Sequence, residues 1–479
     1  MAKSKILELH NKLINKEIFI KDIVLESKKI FEKIKKTNSI ITNTIDLINI
    51  KDFENKFEEN KDNLLFCIPY TLKDNIATKG IRTTGGSEFL RNYIPPYSAT
   101  VYEILNKQKA MLLGKANLDE FGLGNSGLTT AYGEVCNFYD NSRITSGSSS
   151  GSVNSIAGGF GLFSIGTDTG DSVRKPSSYL GTVGYKPSYG AISRFGVYPY
   201  APSLDHVGIL ANYVTDIAIV AQNIIKYDEL DYTSYDLQNK YYENLKHISN
   251  AKIAIFDGIE QYLQEDVLKE YNRVIKLLKD KKFKVEKVKV DWKLMETLYM
   301  TYKYISYPEA LSCYHNFTGV TFGTNKDKSK SSFNELININ RTYGFGKEVK
   351  YRFIYASLVD RFQNFRKCLN KARKAVRLYD KFVNDIFAKY DAYIIPASSD
   401  LVPTIDEFKT FNYHLNIADD LLMLGNFCHT PSITLPTNFI KEFPWGININ
   451  CKKYDDQKLL NIALSIEEAL NFDKENRQC

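Results

Sequence analysis

Between Thr145 and Pro176 the sequence reads TSGSSSGSVNSIAGGFGLFSIGTDTGDSVRKP, with serine and glycine at a density found nowhere else in the chain. Ser146, Ser148, Ser149, Ser150 and Ser152 form one hydroxyl cluster, and Ser172 follows beyond the strand-like run LFSIGTD. A serine hydroxyl becomes a nucleophile once a neighbouring base removes its proton. Glycines tolerate positive φ and let backbone approach another group closely, so two hydroxyl-bearing turns can meet at one place. A flexible linker is the bland alternative for such a composition. It does not account for Ile156, Leu162, Phe163 and Ile165, which are core-type residues. A phosphate loop needs a lysine after its second glycine, and none stands in that register. The Gly-x-Ser-x-Gly elbow is also missing.

A serine nucleophile needs a base. His206, in Ser-Leu-Asp-His-Val-Gly, is one candidate, but a histidine triad also needs an acidic orienter and a nucleophile elbow. Lys73 is the other, at the end of the apolar run LLFCIPYTLK. Burial disfavours the charged form of a lysine and so makes it basic at neutral pH. The competing reading is an exposed lysine at a strand end, the usual fate of that residue.

Three segments occur in the order Pro69-Tyr70-Thr71-Leu72-Lys73-Asp74-Asn75, Ser146-Gly147-Ser148-Ser149-Ser150-Gly151-Ser152 and Asp168-Thr169-Gly170-Asp171-Ser172-Val173-Arg174-Lys175-Pro176. Together they resemble the amidase signature family. The resemblance implies an α/β fold, a single large unit with a mixed central β-sheet covered by helices on both faces. It implies a catalytic triad of Ser172 as nucleophile, Ser148 as proton relay through a cis peptide, and Lys73 as base. The backbone N–H groups of Thr169, Gly170, Asp171 and Ser172 would form the oxyanion hole, where one donor is worth about 2.7–4 kcal/mol. The chain departs from the family pattern where Asp171, Ser146 and Ser150 replace common glycines. An aspartate at 171 keeps the N–H, but would be strained at positive φ and adverse beside an oxyanion.

Further segments are similar to one branch of that family, the amidase component of the glutamyl-tRNA(Gln) amidotransferases. They include Leu118-Asp119-Glu120-Phe121-Gly122, Ser193-Arg194-Phe195-Gly196 and Tyr343-Gly344-Phe345-Gly346-Lys347-Glu348-Val349-Lys350-Tyr351-Arg352. This likeness implies hydrolysis of glutamine, with ammonia passed to a B subunit that activates tRNA-bound glutamate using ATP and Mg. A small C subunit would clamp the two. No cofactor or metal is implied in this chain. Arg352 would hold the α-carboxylate of glutamine, as a bidentate guanidinium suits. Asp420 would hold the α-ammonium, with Asp419 adjacent, and Ser126 would also contact substrate. Two other readings stand: a lone amidase acting on small or acyl amides, and a scaffold silenced by Asp171.

The elements that must position these residues follow from periodicity. LELHNKLI and IVLESKKIFEKI place apolar residues at helical spacing, so residues 1–60 read as an N-terminal helical segment. Residues 61–479 then form the amidase-signature unit, with core motifs over 65–215 and a less typical insertion over 227–340. LLFCIPYTLK, AMLLGKA, LFSIGTD, KIAIF, FKVEKVKVD, IIPAS, SITLP and GININC read as strands, alternating with helices as in a crossover-connected sheet. Residues 181–210, with their prolines and glycines, read as loop. Residues 227–250 read as a polar connection, and most of 290–390 as helical. The basic residues Arg361, Arg366, Lys367, Lys371, Arg373, Lys374, Arg377 and Lys381 read as a solvated face or as an RNA-facing one.

Whole-chain properties narrow the class. Hydrophobic residues make up 43% of the 479 and charged ones 25%, as expected of a soluble protein with a sizeable core. The net charge of +7 is mild at this length. The N-terminus lacks an apolar signal region and no long apolar run suggests a membrane span. Seven cysteines, an odd number without a CxxC, suit a reducing compartment, so a cytoplasmic location is expected. The histidines show no metal-ligand spacing.

Overall fold

A computed structural model describes residues 3–237, 240–326, 332–361, 365–410 and 416–473. Among these residues a mixed sheet holds eleven strands. They are β1 (Ile40–Asn43), β2 (Pro69–Lys73), β3 (Met111–Ala116), β4 (Phe163–Asp168), β5 (Val183–Lys186), β6 (His206–Ala211), β7 (Lys252–Phe256), β8 (Lys284–Val288), β9 (Ala392–Pro396), β10 (Ser432–Ile440) and β11 (Phe443–Asn450). The spatial order is β1-β3-β2-β4-β6-β5-β10-β11-β9-β7-β8. β3, β2 and β4 are parallel neighbours on one side, and β9, β7 and β8 on the other. The strands between them are antiparallel.

Parallel strands covered on both faces read as continuous apolar runs rather than alternating ones. β2 and β4 are buried at every position, yet Thr71, Lys73, Ser164, Thr167 and Asp168 interrupt their apolar runs. Three sequence expectations need correction, the first being residues 1–60, which are not helical throughout but contribute β1 (Ile40–Asn43) to the sheet beside β3. Leu64–Cys67 form turns, not the first half of a strand. The Asn63 side chain accepts from Leu65 N at 3.0 Å, Ile68 N donates to Leu65 O, and Cys67 has φ +61°. The strand begins at Pro69, whose missing N–H suits a first position. The stretch 181–210 is not all loop either, because it contributes β5 and most of β6 to the middle of the sheet. Their glycines mark close approaches rather than turns: a Cβ on Gly184 would meet Ser177 Oγ at 2.2 Å, and one on Gly208 would meet Tyr185 O at 2.9 Å.

Helices flank the sheet. Those that bear on the site are α1 (Lys5–Ile14), α2 (Ile20–Ile34), α3 (Ser150–Ala157), α4 (Arg174–Leu180), α5 (Val214–Ile224), α6 (Leu298–Tyr314), α7 (Lys347–Arg361), α8 (Phe365–Phe387) and α9 (Asp456–Leu470). α2 buries Ile20, Ile23, Val24, Ser27 and Ile34, one helical face. α1 is fastened by the Asp216 carboxylate of α5, which accepts from Ser4 Oγ, Lys5 N and Ile6 N at 2.5–3.2 Å. α3 is made of small residues because its backbone lies against other backbone. A Cβ on Gly151 would sit 2.2 Å from Ser39 O and 2.5 Å from Asn117 N. α6 packs on both α7 and α8. Lys371, Arg373, Lys374, Arg377 and Lys381 of α8 are exposed, as are Arg366 and Lys367. The side chains of Arg361, Phe362 and Phe365 lie outside the described residues. Among the described residues no helix is long and apolar enough to cross a membrane.

Candidate active site

The site forms at the carboxyl ends of β2 and β4, where ligands gather in sheets with parallel strands. The register pairs Leu72 with Ile165, which brings Lys73 and Thr167 to the same end. Lys73 is fully buried, and its Nζ lies 2.8 Å from Ser148 Oγ, 3.0 Å from Ser149 Oγ and 2.8 Å from Thr167 Oγ1. The carbonyl oxygen of Thr167 adds a fourth contact at 3.3 Å. Burial pulls the amine down to a pKa of about 7, against the opposing pull of Asp119, Asp168 and Asp205. A large fraction of Lys73 is therefore a neutral amine near neutral pH, able to accept a proton from a hydroxyl.

Ser148 follows a cis peptide bond from Gly147. The turn has no room for a side chain at 147, where a Cβ would lie 2.0 Å from Asp119 Oδ2. Asp119 also gathers the neighbouring loop: its carboxylate accepts from Ser126 N, Gly127 N, Thr129 N and Thr129 Oγ1 at 2.7–3.1 Å. Ser149 N donates to Ser172 O at 3.3 Å and so ties the two serine turns together.

The Asp168–Ser172 turn is held from beneath by one buried cation. Arg174 pairs with Asp168 at 2.9 Å, both fully buried. The same guanidinium donates to Gly170 O, Asn426 Oδ1 and Leu422 O at 2.6–2.7 Å. Across a trans peptide the N–H points opposite to the C=O. Fixing the Gly170 carbonyl therefore aims the Asp171 N–H the other way. Among the described residues no acceptor engages the N–H groups of Gly170, Asp171 or Ser172. These unclaimed donors beside the Ser172 hydroxyl are what an oxyanion requires.

A cavity of about 450 Å³ opens onto this turn and brings together Ser126, Gly170, Asp171, Ser172 and Arg352. Arg352 is buried and donates through Nε to Glu348 Oε1 at 3.0 Å, with the ring of Tyr307 4.9 Å from its guanidinium carbon. It also donates to the Tyr200 hydroxyl. Asp171 does not adopt positive φ, so no backbone strain attends the aspartate. Ser146 does, at φ +61°. Burial pushes the Asp171 carboxyl up to about 6, with Lys175 opposing and Asp168 and Asp419 adding to the shift.

Thr169 is expected from sequence to act through its backbone N–H; its side chain turns away, donating to Asp205 Oδ1 at 2.6 Å beside a second cavity of about 360 Å³. Other expected residues sit apart. Asp420 is not among the lining residues of the Ser172 cavity, although it lies within electrostatic reach of Tyr299 and Asp171. Asp419 is occupied by Lys175 Nζ at 2.8 Å and Ser399 N at 2.7 Å. His206 donates from Nδ1 to Leu204 O at 2.6 Å and makes no hydrogen bond to Ser172 among the described residues. Sequence reasoning missed the roof of the cavity: Tyr299, Tyr302, Lys303 and Tyr307 on α6, and Glu348 and Tyr351 on α7. The run TLYMTYKYISY carried the available signal, an unusual tyrosine density at helical spacing.

Comparison with known proteins bears on this geometry. The family model named Amidase matches residues 23–460. The A subunit of glutamyl-tRNA(Gln) amidotransferase from Mycoplasma genitalium is 41% identical over 478 residues, covering 98% of this chain and 99% of that one. Its counterpart from Mycoplasma pneumoniae is 39% identical, covering 99% and 100%. The crystal structure of the counterpart from Thermotoga maritima superposes with a TM-score of 0.76 at 28% identity, covering 94% of each chain.

Proposed function

Because the chain belongs to the amidase family, we propose that it is the glutamine-hydrolysing component of a glutamyl-tRNA(Gln) amidotransferase. The observation that carries the chemistry is the buried Lys73 amine 2.8 Å from Ser148 Oγ, beside the cavity that holds Ser172 and Arg352. Full-length likeness to the named subunits supports the choice of glutamine over other amides.

In this reading neutral Lys73 takes a proton from Ser148, and Ser148 takes one from Ser172. The Ser172 oxygen attacks the carboxamide carbon of glutamine. Negative charge develops on the carbonyl oxygen and is met by the N–H groups of Gly170, Asp171 and Ser172. The relayed proton returns to the leaving nitrogen, ammonia departs, and a γ-glutamyl ester remains on Ser172. Water activated by the same relay cleaves the ester and releases glutamate. Arg352 receives the α-carboxylate through the N–H groups that Glu348 and Tyr200 leave free. Ser126 borders the same cavity.

B and C subunits complete the assembly in this proposal, and the complex works in the cytoplasm. ATP and magnesium act in the B subunit on Glu-tRNA(Gln), and the ammonia made here converts it to Gln-tRNA(Gln). The test is ammonia release from glutamine, measured for the chain alone and with its B and C subunits, ATP and Glu-tRNA. Partner-stimulated release that disappears in Ser172→Ala supports the reading. Equal turnover of simple amides without partners overturns it in favour of a lone amidase, and no release under any condition overturns it in favour of a silenced scaffold.

A further inference from the structure

Glu120 and Gly346 stand 226 residues apart in the chain and meet through one buried carboxylate. Glu120 is 3% exposed and takes no part in the proton relay. Its Oε2 accepts from Gly346 N at 2.8 Å, and its Oε1 accepts from the Ser87 hydroxyl. A side chain at 346 would intrude on this contact, since a Cβ there would lie 2.5 Å from Glu120 Oε2. Gly346 O in turn accepts from Lys350 N at 3.1 Å, so the carboxylate caps the start of α7. Negative charge suits that end of a helix. The rings of Phe121 and Phe345, next in sequence to the two partners, meet edge-on with centroids 6.1 Å apart. Burial pushes the Glu120 carboxyl up to about 7, opposed by Ser87, the Gly346 N–H and Lys350, with Glu88 adding to the shift. A buried acid is a costly tether where aromatic packing already holds the helix. What it adds is direction, because a hydrogen bond fixes a distance and an angle.

Each end of this tether leads to one half of the site. α7 brings Glu348, Tyr351 and Arg352 to the wall of the Ser172 cavity. Arg352 lies six residues beyond Gly346, about 9 Å along the helix, so a shift at the start of α7 reaches the guanidinium. At the other end Glu120 N donates to Thr129 O at 3.0 Å, and the preceding residue is Asp119. The Asp119 carboxylate accepts from Ser126 N and Gly127 N and fills the space beside Gly147. Two adjacent acids therefore face two ways, one towards the Gly147–Ser148 turn and one towards the helix that presents Arg352. We propose that Glu120 is a positioning residue that sets the distance between Arg352 and the serine turns, so that a substrate held by its carboxylate at Arg352 places its amide at Ser172. This rests on the reading of glutamine as the substrate and of Arg352 as its carboxylate contact.

The experiment is a double-mutant cycle in the assembled complex, reading kcat and KM for ammonia release from glutamine. Its corners are the native enzyme, Glu120→Gln, Arg352→Ala and the double variant. Glutamine at 120 keeps the shape, accepts from Gly346 N and donates to the Ser87 hydroxyl, but it loses the charge. Glu120→Gln is expected to raise KM by roughly threefold to tenfold and to move kcat less. In the Arg352→Ala background the same substitution changes kcat/KM by less than about twofold, because the group it acts through is gone. Gly346→Ala presses a methyl against the same carboxylate and repeats the KM rise from the other side; it takes the place of Glu120→Gln in the cycle if that variant does not fold. Equal effects in both Arg352 backgrounds, or an unchanged KM in folded Glu120→Gln and Gly346→Ala, overturn the inference and leave the proposed function standing. A native complex that releases no ammonia from glutamine overturns both.

Discussion

Thr167→Val tests the assignment of Lys73 as the base through its surroundings. Thr167 Oγ1 lies 2.8 Å from Lys73 Nζ, one of four oxygens around the amine. An ammonium has three N–H donors to place, whereas a neutral amine has two and keeps a lone pair for the Ser148 proton. Removing an acceptor therefore penalises the charged form more. A hydrogen bond to a charged group is worth about 1.5–3 kcal/mol and to a neutral one about 0.5–1.5, so the difference is about 1 kcal/mol. At 1.36 kcal/mol per unit, the pKa falls by roughly 0.7. The sign follows: the amine is the active form, so activity rises with pH through the Lys73 pKa, about 7 in the native protein. In Thr167→Val that rise moves to lower pH. The assay is kcat/KM for ammonia release from glutamine against pH, which reports the free enzyme. The variant also strips an acceptor from Asn75 Nδ2 at 3.2 Å, costing about 1–3 kcal/mol of stability, so thermal unfolding is measured in parallel. A limb that stays in place or moves upward in a folded variant would refute Lys73 as the titrating base.

Other outcomes follow from the same geometry. Ser172→Ala removes the nucleophile and with it covalent labelling by serine-reactive probes, and turnover drops by at least about a thousandfold, since such residues act as a unit. Retained labelling at another serine would displace it from that role. Arg352→Ala raises KM for glutamine by roughly tenfold or more and leaves an uncharged amide much less affected, as loss of a bidentate carboxylate contact should. Equal loss on both substrates would make Arg352 structural instead. Gly151→Ala forces a Cβ to within 2.2 Å of the Ser39 carbonyl, where backbone must move, and is expected to lower the thermal midpoint by several degrees. Breaking the buried Asp168–Arg174 pair by Arg174→Met is expected to cost about 3–5 kcal/mol, read in denaturant unfolding.

The legible parts of the sequence were those whose chemistry is local. Pro69–Lys73, Gly147–Ser152 and Asp168–Pro176 are short turns and strand ends in which each residue type has a steric or chemical reason. Strand and helix alternation made an α/β sheet with crossovers legible, while its mixed character came from the resemblance of the three motifs to the amidase signature family. β5 and β6 were not, because Gly184 and Gly208 dilute their apolar pattern. Gly184 answers to Ser177 and Val173 on the preceding helix and turn, and Gly208 to Tyr185 and Val173 farther off, and in neither case does residue type alone disclose the contact. The turn at Leu64–Cys67 was hidden for the opposite reason: burial made it apolar, and an apolar run looks like a strand. The α6 roof was missed because Tyr299, Tyr302 and Tyr307 acquire a shared purpose only when the helix is laid over the Ser172 turn.

The span of Arg174 has a consequence for synthesis of the chain. Its guanidinium reaches Leu422 and Asn426, 248 and 252 residues downstream. Asp168 and the Gly170 carbonyl are present early as the chain leaves the ribosome, but these two partners emerge near its end. Until they do, the cation beneath the nucleophile turn lacks half of its cradle, and the donors it aims are not fixed. A truncated or stalled chain carries Lys73, Ser148 and Ser172 without a finished oxyanion site. The finished donor turn thus waits for the short helical turns over Leu421–Phe427, which close the cradle from the far end of the chain.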